Sequence, residues 1–125
     1  MTFEISTTRR FCAAHSLKLY DGTMEPIHGH NWKVRVTVAA PKLDSIGVVM
    51  DFHDLERQVD DIIRPLHNCS LNAVAAAAGG MDDLNPTAEN VAVHVARKLR
   101  LPTGVRLRTV EVWETDDNRA VLRAD

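Results

Sequence analysis

Three histidines lie where the chain could place them around one metal ion. His28 and His30 are two residues apart at the start of a predicted strand, and such side chains project from the same face. His15 stands at the expected end of the preceding strand. Three neutral imidazoles with an open fourth position are a recurrent catalytic zinc arrangement. The alternative is that these are ordinary surface, core or loop histidines, because a lone His-x-His is a weak signal.

Other polar side chains surround this pattern. Glu25 lies three residues before His28, and a carboxylate beside a metal site can accept and donate protons. The other interpretation of Glu25 is a solvated loop residue beside a proline. His53 and His94 fall on predicted helices without a partner at ligand spacing, so both are interpreted as helix-surface residues.

Alternation of apolar and polar residues predicts two strands before the middle of the chain. The first begins at Phe3 and continues toward Cys12, and a loop follows from Leu17 to Ile27. The second strand is the clearest element, with one face formed by Trp32, Val34, Val36 and Val38. The histidines fall in phase with that apolar face if the strand extends back to them, and an unpaired imidazole is costly there.

Two helices are predicted next. A period of three to four residues begins after Asp51, the expected N-cap, and Pro65 ends this helix. Thr87 is the expected cap of the second helix. The stretch between them, Asn68 to Asn85, is predicted to be a long flexible loop, which in a compact domain tends to be functional or disordered.

The C-terminal part returns to the strand pattern. A third strand begins at Val105, its apolar phase slips at an expected bulge near Arg108, and a short last strand covers Ala120 to Arg123. The order ββααββ predicts an α+β fold, a four-stranded antiparallel sheet with two helices packed on one face. The other face is then available to partner subunits.

Composition limits the classes of function. At 125 residues, with 45% hydrophobic and 26% charged residues, the chain is expected to form a single domain, 1–125. A net charge of -2 without a basic stripe argues against nucleic acid or a membrane surface as partner. Without an apolar run or leader pattern, we expect a cytoplasmic protein. Cys12 and Cys69 are expected to be free thiols.

Five sequence blocks occur in a distinctive order along nearly the whole chain. They are Phe11 to His15, His28 to Asn31, Gly47 to Phe52, Pro86 to Asn90, and Val112 to Thr115. Each block alone is modest, but the ordered set resembles the 6-pyruvoyl-tetrahydropterin synthase and 6-carboxytetrahydropterin synthase family. The resemblance implies the tunnelling fold, in which trimers close their sheets into a barrel and two trimers stack as a hexamer with active sites at subunit contacts. It also implies Zn²⁺ held by His15, His28 and His30, and a small-molecule pterin substrate.

Glu114 matches the family's pterin-binding glutamate. A pterin offers an amino group and a ring N–H side by side, to which a carboxylate can bind bidentately. Glu114 shares a strand face with Val110 and Val112, so we expect it to be buried and in need of donors. The alternative is an ion pair with a nearby arginine. Thr87 and Thr115 resemble secondary pterin contacts, although Thr87 could be only a helix cap.

The sequence departs from the family at its catalytic groups. The family carries a cysteine base shortly before His-Gly-His, but residues 22–27 contain no cysteine, and the thioether of Met24 cannot take a proton. The family's Asp-His pair aligns here with His67 and Asn68. We therefore expect His67 to be the candidate second acid or base, and Asn68 to orient or donate only.

The spacing Glu25-x-x-His28-x-His30 resembles a variant branch of the family. That branch cleaves the side chain of dihydroneopterin or its triphosphate to give 6-hydroxymethyl-dihydropterin, a folate precursor. The resemblance therefore implies a zinc-dependent pterin side-chain lyase with Glu25 as base. Zinc can polarise the side-chain hydroxyls in such a reaction.

Three other functions stay open on the sequence. The chain could make 6-carboxytetrahydropterin, a queuosine precursor, or the 6-pyruvoyl compound, with proton transfer through His67. It could also bind pterins without catalysis, because the usual cysteine is missing. A three-histidine β-barrel oxygenase binding iron shares the His-x-His, but the glutamate expected shortly afterwards is missing between Trp32 and Val38.

Overall fold

Five strands form one sheet in the part of the chain that the structure describes. The structure is a computed structural model, which describes residues 1–77 and 80–125. The strands are β1 (Phe3–His15), β2 (His28–Ala40), β3 (Cys69–Ser70), β4 (Arg106–Trp113) and β5 (Arg119–Arg123). Their order is β3-β1-β2-β4-β5, with β3 parallel to β1 and the other neighbours antiparallel. The four predicted strands are present, and β3 is an additional strand too short to show a period.

The apolar face of β2 forms the centre of the core. The following side chains on that face have no exposed surface: Trp32, Val34, Val36 and Val38. Lys33 and Arg35 point to the opposite face and are partly exposed. The predicted alternation is therefore confirmed, and the buried face is the one that the helices cover.

An extra residue interrupts the pairing of β2 with β4. Thr37 pairs with Thr109 and Val38 pairs with Leu107, which leaves Arg108 without an opposite residue. This confirms the predicted bulge. Because of this extra residue, the buried apolar residues that follow it in β4 point toward the helices.

Three α-helices within the described residues pack on the sheet. They are α1 (Phe52–Ile63), α2 (Leu71–Ala76) and α3 (Ala88–Lys98). The Asp51 side chain accepts from the N–H of His53 and the Thr87 side chain accepts from that of Asn90, so both predicted caps are confirmed. α1 contacts β1, and α3 contacts β4 and β5, on the buried face of the sheet. None of the helices among the described residues is long and apolar enough to cross a membrane.

The first part of the segment from Asn68 to Asn85 is not the flexible loop that the sequence predicts. It contains β3 and α2, and two of its side chains one helical turn apart, Leu71 and Ala75, are buried in the core. Alanine is the best helix former, so these small residues build a short helix on the core instead of a loop. Residues 78 and 79 of the predicted loop lie outside the described residues.

The two helix histidines differ in their surroundings. His53 is exposed on α1, as predicted. His94 on α3 is only 6% exposed, so its assignment to the helix surface is wrong. His94 lies among the buried residues of α3, beside Val91 and Val95. Burial lowers the pKa of His94, and the positive charge of Lys98 lowers it further.

The contribution of the core to the stability of the fold can be tested by truncating one buried leucine on α1. Leu55→Ala should lower the free energy of unfolding by about 2–5 kcal/mol, because Leu55 is completely buried and truncation leaves a cavity. Leu43→Ala makes the same chemical change at a residue that is 41% exposed, and should cost about 0.5 kcal/mol or less. Urea unfolding followed by circular dichroism measures both values. Equal losses would contradict this position of the core.

Candidate metal centre and active site

Three imidazole rings meet where the end of β1 pairs with the start of β2. The antiparallel register sets His15 opposite His28 and Ala13 opposite His30, so the three rings project from the helix-covered face of the strand pair. The Nε2 atoms of His15 and His28 are 3.1 Å apart. One ligand atom from each ring lies within 4.8 Å of the others, so this histidine group could hold a metal ion.

Backbone carbonyls orient two of the rings. His15 Nδ1 donates to the Pro86 carbonyl at 2.7 Å, and His28 Nδ1 donates to the Pro26 carbonyl at 2.9 Å. Because a carbonyl oxygen only accepts, each neutral ring carries its proton on Nδ1 and its lone pair on Nε2. The two lone pairs then face each other, and a cation shared between them relieves that repulsion. Metal-binding histidines are oriented by the same kind of outer hydrogen bond.

His30 adds a third lone pair to the group. Its Nε2 is buried and has no hydrogen-bond partner among the described residues. Burial lowers the pKa of His30, against the opposing effect of the Glu114 charge, so the neutral ring is favoured. A buried polar atom without a partner costs about 1–3 kcal/mol. A metal ion at this place removes that cost, so the residues present fit a cation.

The histidine group is closed on one side and open on the other. The side chains of His15, His30 and His28 are 1%, 18% and 41% exposed. Trp32 packs edge-on against His15 and His30, and its indole N–H donates to the Ala13 carbonyl at 3.2 Å. Three imidazoles with one open side suit a zinc ion that keeps a position for water or substrate.

Two carboxylates flank the histidine group. Glu114, directly after β4, places Oε1 3.9 Å from His15 Nε2 and Oε2 3.9 Å from His30 Nε2. Its side chain is 29% exposed, so it is less buried than predicted, because the residue lies beyond the strand end. Its ionic neighbours among the described residues are these histidines and not an arginine. Glu25 Oε1 lies 3.8 Å from His28 Nε2, on the more exposed ring.

Glu25 is held by the segment that directly follows β1. Its Oε1 accepts from the N–H of Leu17 at 3.1 Å, and its own N–H donates to the Leu17 carbonyl at 3.0 Å. The Ser16 hydroxyl donates to the Glu25 carbonyl. The side chain is 25% exposed. Glu25 is therefore a fixed carboxylate beside the histidine group and not a freely solvated loop residue.

The two threonines expected near the pterin make local hydrogen bonds. The Thr87 hydroxyl accepts from the Asn90 N–H as the N-cap of α3. The Thr115 hydroxyl accepts from the Asp117 N–H at 3.3 Å and is exposed. Each hydroxyl keeps its proton for another acceptor, so contacts to a ligand stay a prediction for both.

His67 lies at the β1–β3 edge and not in the histidine group. Its Nδ1 accepts from the N–H of Cys12 at 3.1 Å, and its side chain is exposed. Asn68 follows with a left-handed backbone (φ 57°), and its N–H donates to the Cys12 carbonyl at 2.6 Å. Cys12 and Cys69 are both free and exposed. Within one chain, the structure does not bring His67 together with Glu25.

Several groups that support the site had no clear sequence signal. Pro26 and Pro86 act through carbonyl oxygens, which every residue possesses. Asn72 and Asn85 bind the segment after β1 through their side chains. The Asn-Pro dipeptide before Thr87 marks a turn, but nothing in the sequence shows what that turn contacts.

The family follows from comparison with known proteins. Residues 4–125 match the family model described as 6-pyruvoyl tetrahydropterin synthase. The chain belongs to the 6-pyruvoyl tetrahydropterin synthase family. This confirms the family indicated by the five sequence blocks.

Similar proteins carry several names within this family. A Pyrococcus furiosus protein named dihydroneopterin monophosphate aldolase is 34% identical over 109 residues, covering 86% of this chain and 85% of the relative. Human 6-pyruvoyl tetrahydrobiopterin synthase is 37% identical over 114 residues, covering 88% and 76%. A putative 6-carboxytetrahydropterin synthase of Archaeoglobus fulgidus is 33% identical over 123 residues, covering 98% and 96%. A pterin side-chain lyase activity is thus supported.

A solved structure shows the same fold. The Caenorhabditis elegans 6-pyruvoyl tetrahydropterin synthase matches with a TM-score of 0.80 and 20% identity, covering 100% of this chain and 97% of that one. The predicted α+β fold of the single chain is therefore confirmed, with one more short strand and one more short helix among the described residues than expected.

Metal binding by the histidine group can be measured directly. His30→Ala should weaken zinc binding by more than about 100-fold, because it removes a ligand, and even outer-shell changes cost 10- to 100-fold. His53→Ala removes an exposed imidazole on α1 and should bind zinc as the wild type does. Competition with a chromophoric chelator gives both affinities. Unchanged binding by the His30 variant would exclude this group as the metal site.

Proposed function

We propose that the protein is a zinc-dependent lyase that shortens the side chain of dihydroneopterin, or of its phosphate esters, to give 6-hydroxymethyl-dihydropterin. The observation that carries the proposal is the position of Glu25, which is fixed by the Leu17 N–H and lies 3.8 Å from His28 Nε2. The similarity to a Pyrococcus furiosus protein named dihydroneopterin monophosphate aldolase supports it. His15, His28 and His30 would hold the zinc ion.

Glu25 is the proposed base of the cleavage. It accepts the proton of the hydroxyl on the second side-chain carbon, which becomes a carbonyl carbon as the bond to the first carbon breaks. The electron pair of that bond passes into the dihydropterin ring, and the first carbon then takes a proton back. The second and third carbons leave as a two-carbon aldehyde or its phosphate. When bound, zinc would polarise the side-chain hydroxyls.

Glu114 is the proposed holder of the pterin ring. It flanks His15 and His30, while Glu25 flanks His28, so the two carboxylates lie beside different rings of the group. A pterin bound by Glu114 through its amino group and ring N–H would keep its side chain near the histidines. Thr87 and Thr115 are proposed as secondary contacts.

Assembly and location belong to the same proposal. The family resemblance predicts a dimer of trimers with active sites at subunit contacts, in the cytoplasm. In such a hexamer, the exposed His67 of one chain would serve as an acid or base at a site of another chain. Its separation from Glu25 within one chain is consistent with that arrangement.

The role of the proposed base can be tested by removing its charge. Glu25→Gln should lower kcat by about 10²- to 10⁴-fold, because the amide cannot accept the proton, with zinc content unchanged. Glu4→Gln removes an exposed carboxylate on β1 and should leave kcat unchanged. Zinc-loaded enzyme is incubated with dihydroneopterin, its monophosphate and its triphosphate, and the products are identified by mass spectrometry.

The products separate the competing functions. 6-Hydroxymethyl-dihydropterin with a two-carbon aldehyde supports the proposal. A 6-carboxy or 6-pyruvoyl product would show one of the synthase reactions named for the human and Archaeoglobus fulgidus relatives. Tight pterin binding without any product would show a non-catalytic protein. A Glu25→Gln variant as fast as the wild type would exclude this residue as the base.

The proposed pterin contact predicts a different kind of defect. Glu114→Gln should weaken pterin binding by about 10-fold or more, because a charge-assisted hydrogen bond contributes about 1.5–3 kcal/mol. Glu111→Gln alters a carboxylate on the opposite face of β4 and serves as the control. Isothermal titration with a dihydropterin measures both. Loss of zinc from the Glu114 variant would instead identify Glu114 as a metal ligand.

A further inference from the structure

Two asparagine side chains clamp the backbone directly after β1. Asn72 Oδ1 accepts from the Ser16 N–H at 2.9 Å, and Asn72 Nδ2 donates to the Ser16 carbonyl at 2.7 Å. Asn85 Oδ1 accepts from the Lys18 N–H at 2.9 Å, and Asn85 Nδ2 donates to the Lys18 carbonyl at 3.1 Å. Each amide therefore satisfies both backbone groups of one residue, as a neighbouring strand would.

The clamped segment, residues 16–18, supplies the partners of the hydrogen bonds described above that hold Glu25 after β1. Leu17 lies between the two clamped residues, and its N–H is the donor to the Glu25 carboxylate. The hydroxyl of Ser16 holds the Glu25 carbonyl. Asn72 belongs to α2 and Asn85 to the turn before α3, and they lie 56 and 67 residues along the chain from the residues that they bind.

The same turn also orients a candidate metal ligand. Pro86, the residue after Asn85, accepts the hydrogen bond from His15 Nδ1. Asn90 Nδ2 donates to the Asn85 carbonyl at 2.8 Å, which ties the turn to α3. The turn before α3 thus holds both the His15 ring and the backbone of Lys18.

We propose that Asn72 and Asn85 are positioning residues for the catalytic carboxylate, holding residues 16–18 so that the Leu17 N–H fixes Glu25 beside the histidine group. This inference rests on the proposed function, because it assumes that Glu25 is the base. The side-chain hydrogen bonds described for the two asparagines go to Ser16 and Lys18 and not to Glu25 or the histidines, so both act through the segment. A displacement of a reacting group by about 1 Å can cost 100-fold in rate.

The chain contains a matched control for this kind of clamp. Gln58 on α1 binds the backbone of Arg100 in the same way, with Nε2 donating to the carbonyl at 2.7 Å and Oε1 accepting from the N–H at 2.8 Å. That clamp joins α1 to the segment after α3, and neither residue contacts the histidine group. Gln58→Ala therefore removes equivalent hydrogen bonds without disturbing Glu25.

The kinetic test compares the two kinds of clamp. Asn72→Ala and Asn85→Ala should each lower kcat by about 10- to 100-fold, with KM changed less than about twofold and zinc content unchanged, because the base is displaced while the pterin contact stays. Gln58→Ala should leave kcat unchanged. A loss of kcat in Gln58→Ala equal to that in the asparagine variants would overturn the proposal. Asn85→Asp, which keeps the size but removes the donor, should show the same loss if Asn85→Ala does not fold.

A double-mutant cycle shows whether the asparagines act through Glu25. In a Glu25→Gln background, Asn72→Ala should lower the residual kcat by less than about twofold, because the group that it positions is already disabled. A further loss of 10-fold or more would overturn the proposal, since Asn72 would then act independently of Glu25.

Amide hydrogen exchange tests the positioning without using activity. In Asn72→Ala, exchange should accelerate at the Leu17 amide as well as at Ser16, because releasing the segment weakens the bond to Glu25. Unchanged exchange at Leu17 would overturn the proposal. A Glu25→Gln variant as fast as the wild type would instead contradict the proposed function, so the two failures are distinguishable.

Discussion

The site depends on the register between the end of β1 and the start of β2. Pairing His15 with His28 places three imidazoles on the helix-covered face of the strand pair, and a slip of one residue would turn His28 and His30 to the opposite face. The long apolar run of β2 sets that register, because its fully buried side chains fit the core in one phase only. Core packing and the histidine group are therefore specified by the same alternation.

Residues outside β1 and β2 fix the orientation of two imidazole rings. Strand geometry sets the side of the sheet on which each histidine side chain lies. It does not set the rotation of the imidazole about its Cβ–Cγ bond, and that rotation decides where the Nε2 lone pair points. The carbonyls of Pro26 and Pro86 fix it for His28 and His15. Pro86 directly precedes Thr87, the N-cap of α3, so the exact start of that helix is part of the site's geometry.

Repeating features of the molecule could be predicted from the sequence, because a period of two or of about 3.6 residues recurs along an element. Such patterns reveal the apolar face of β2 and the bulge at Arg108. The caps of α1 and α3 follow from the residue type at the start of each helical period. β3 and α2 have two and six residues, too few to show a period. The clamps by Asn72 and Asn85 join positions 56 and 67 residues apart, which no local pattern reveals.

The fold of this family does not by itself specify one pterin reaction. Relatives that are 33–37% identical to the chain carry names for different pterin reactions, so the residues around the histidine group, more than the fold, decide the product. A glutamate at position 25 has more rotatable bonds than the cysteine of the usual enzymes, and ordering it costs more conformational entropy. To act as the proposed base, the Glu25 carboxylate needs a restraint that a thiol does not, and the Leu17 N–H provides one.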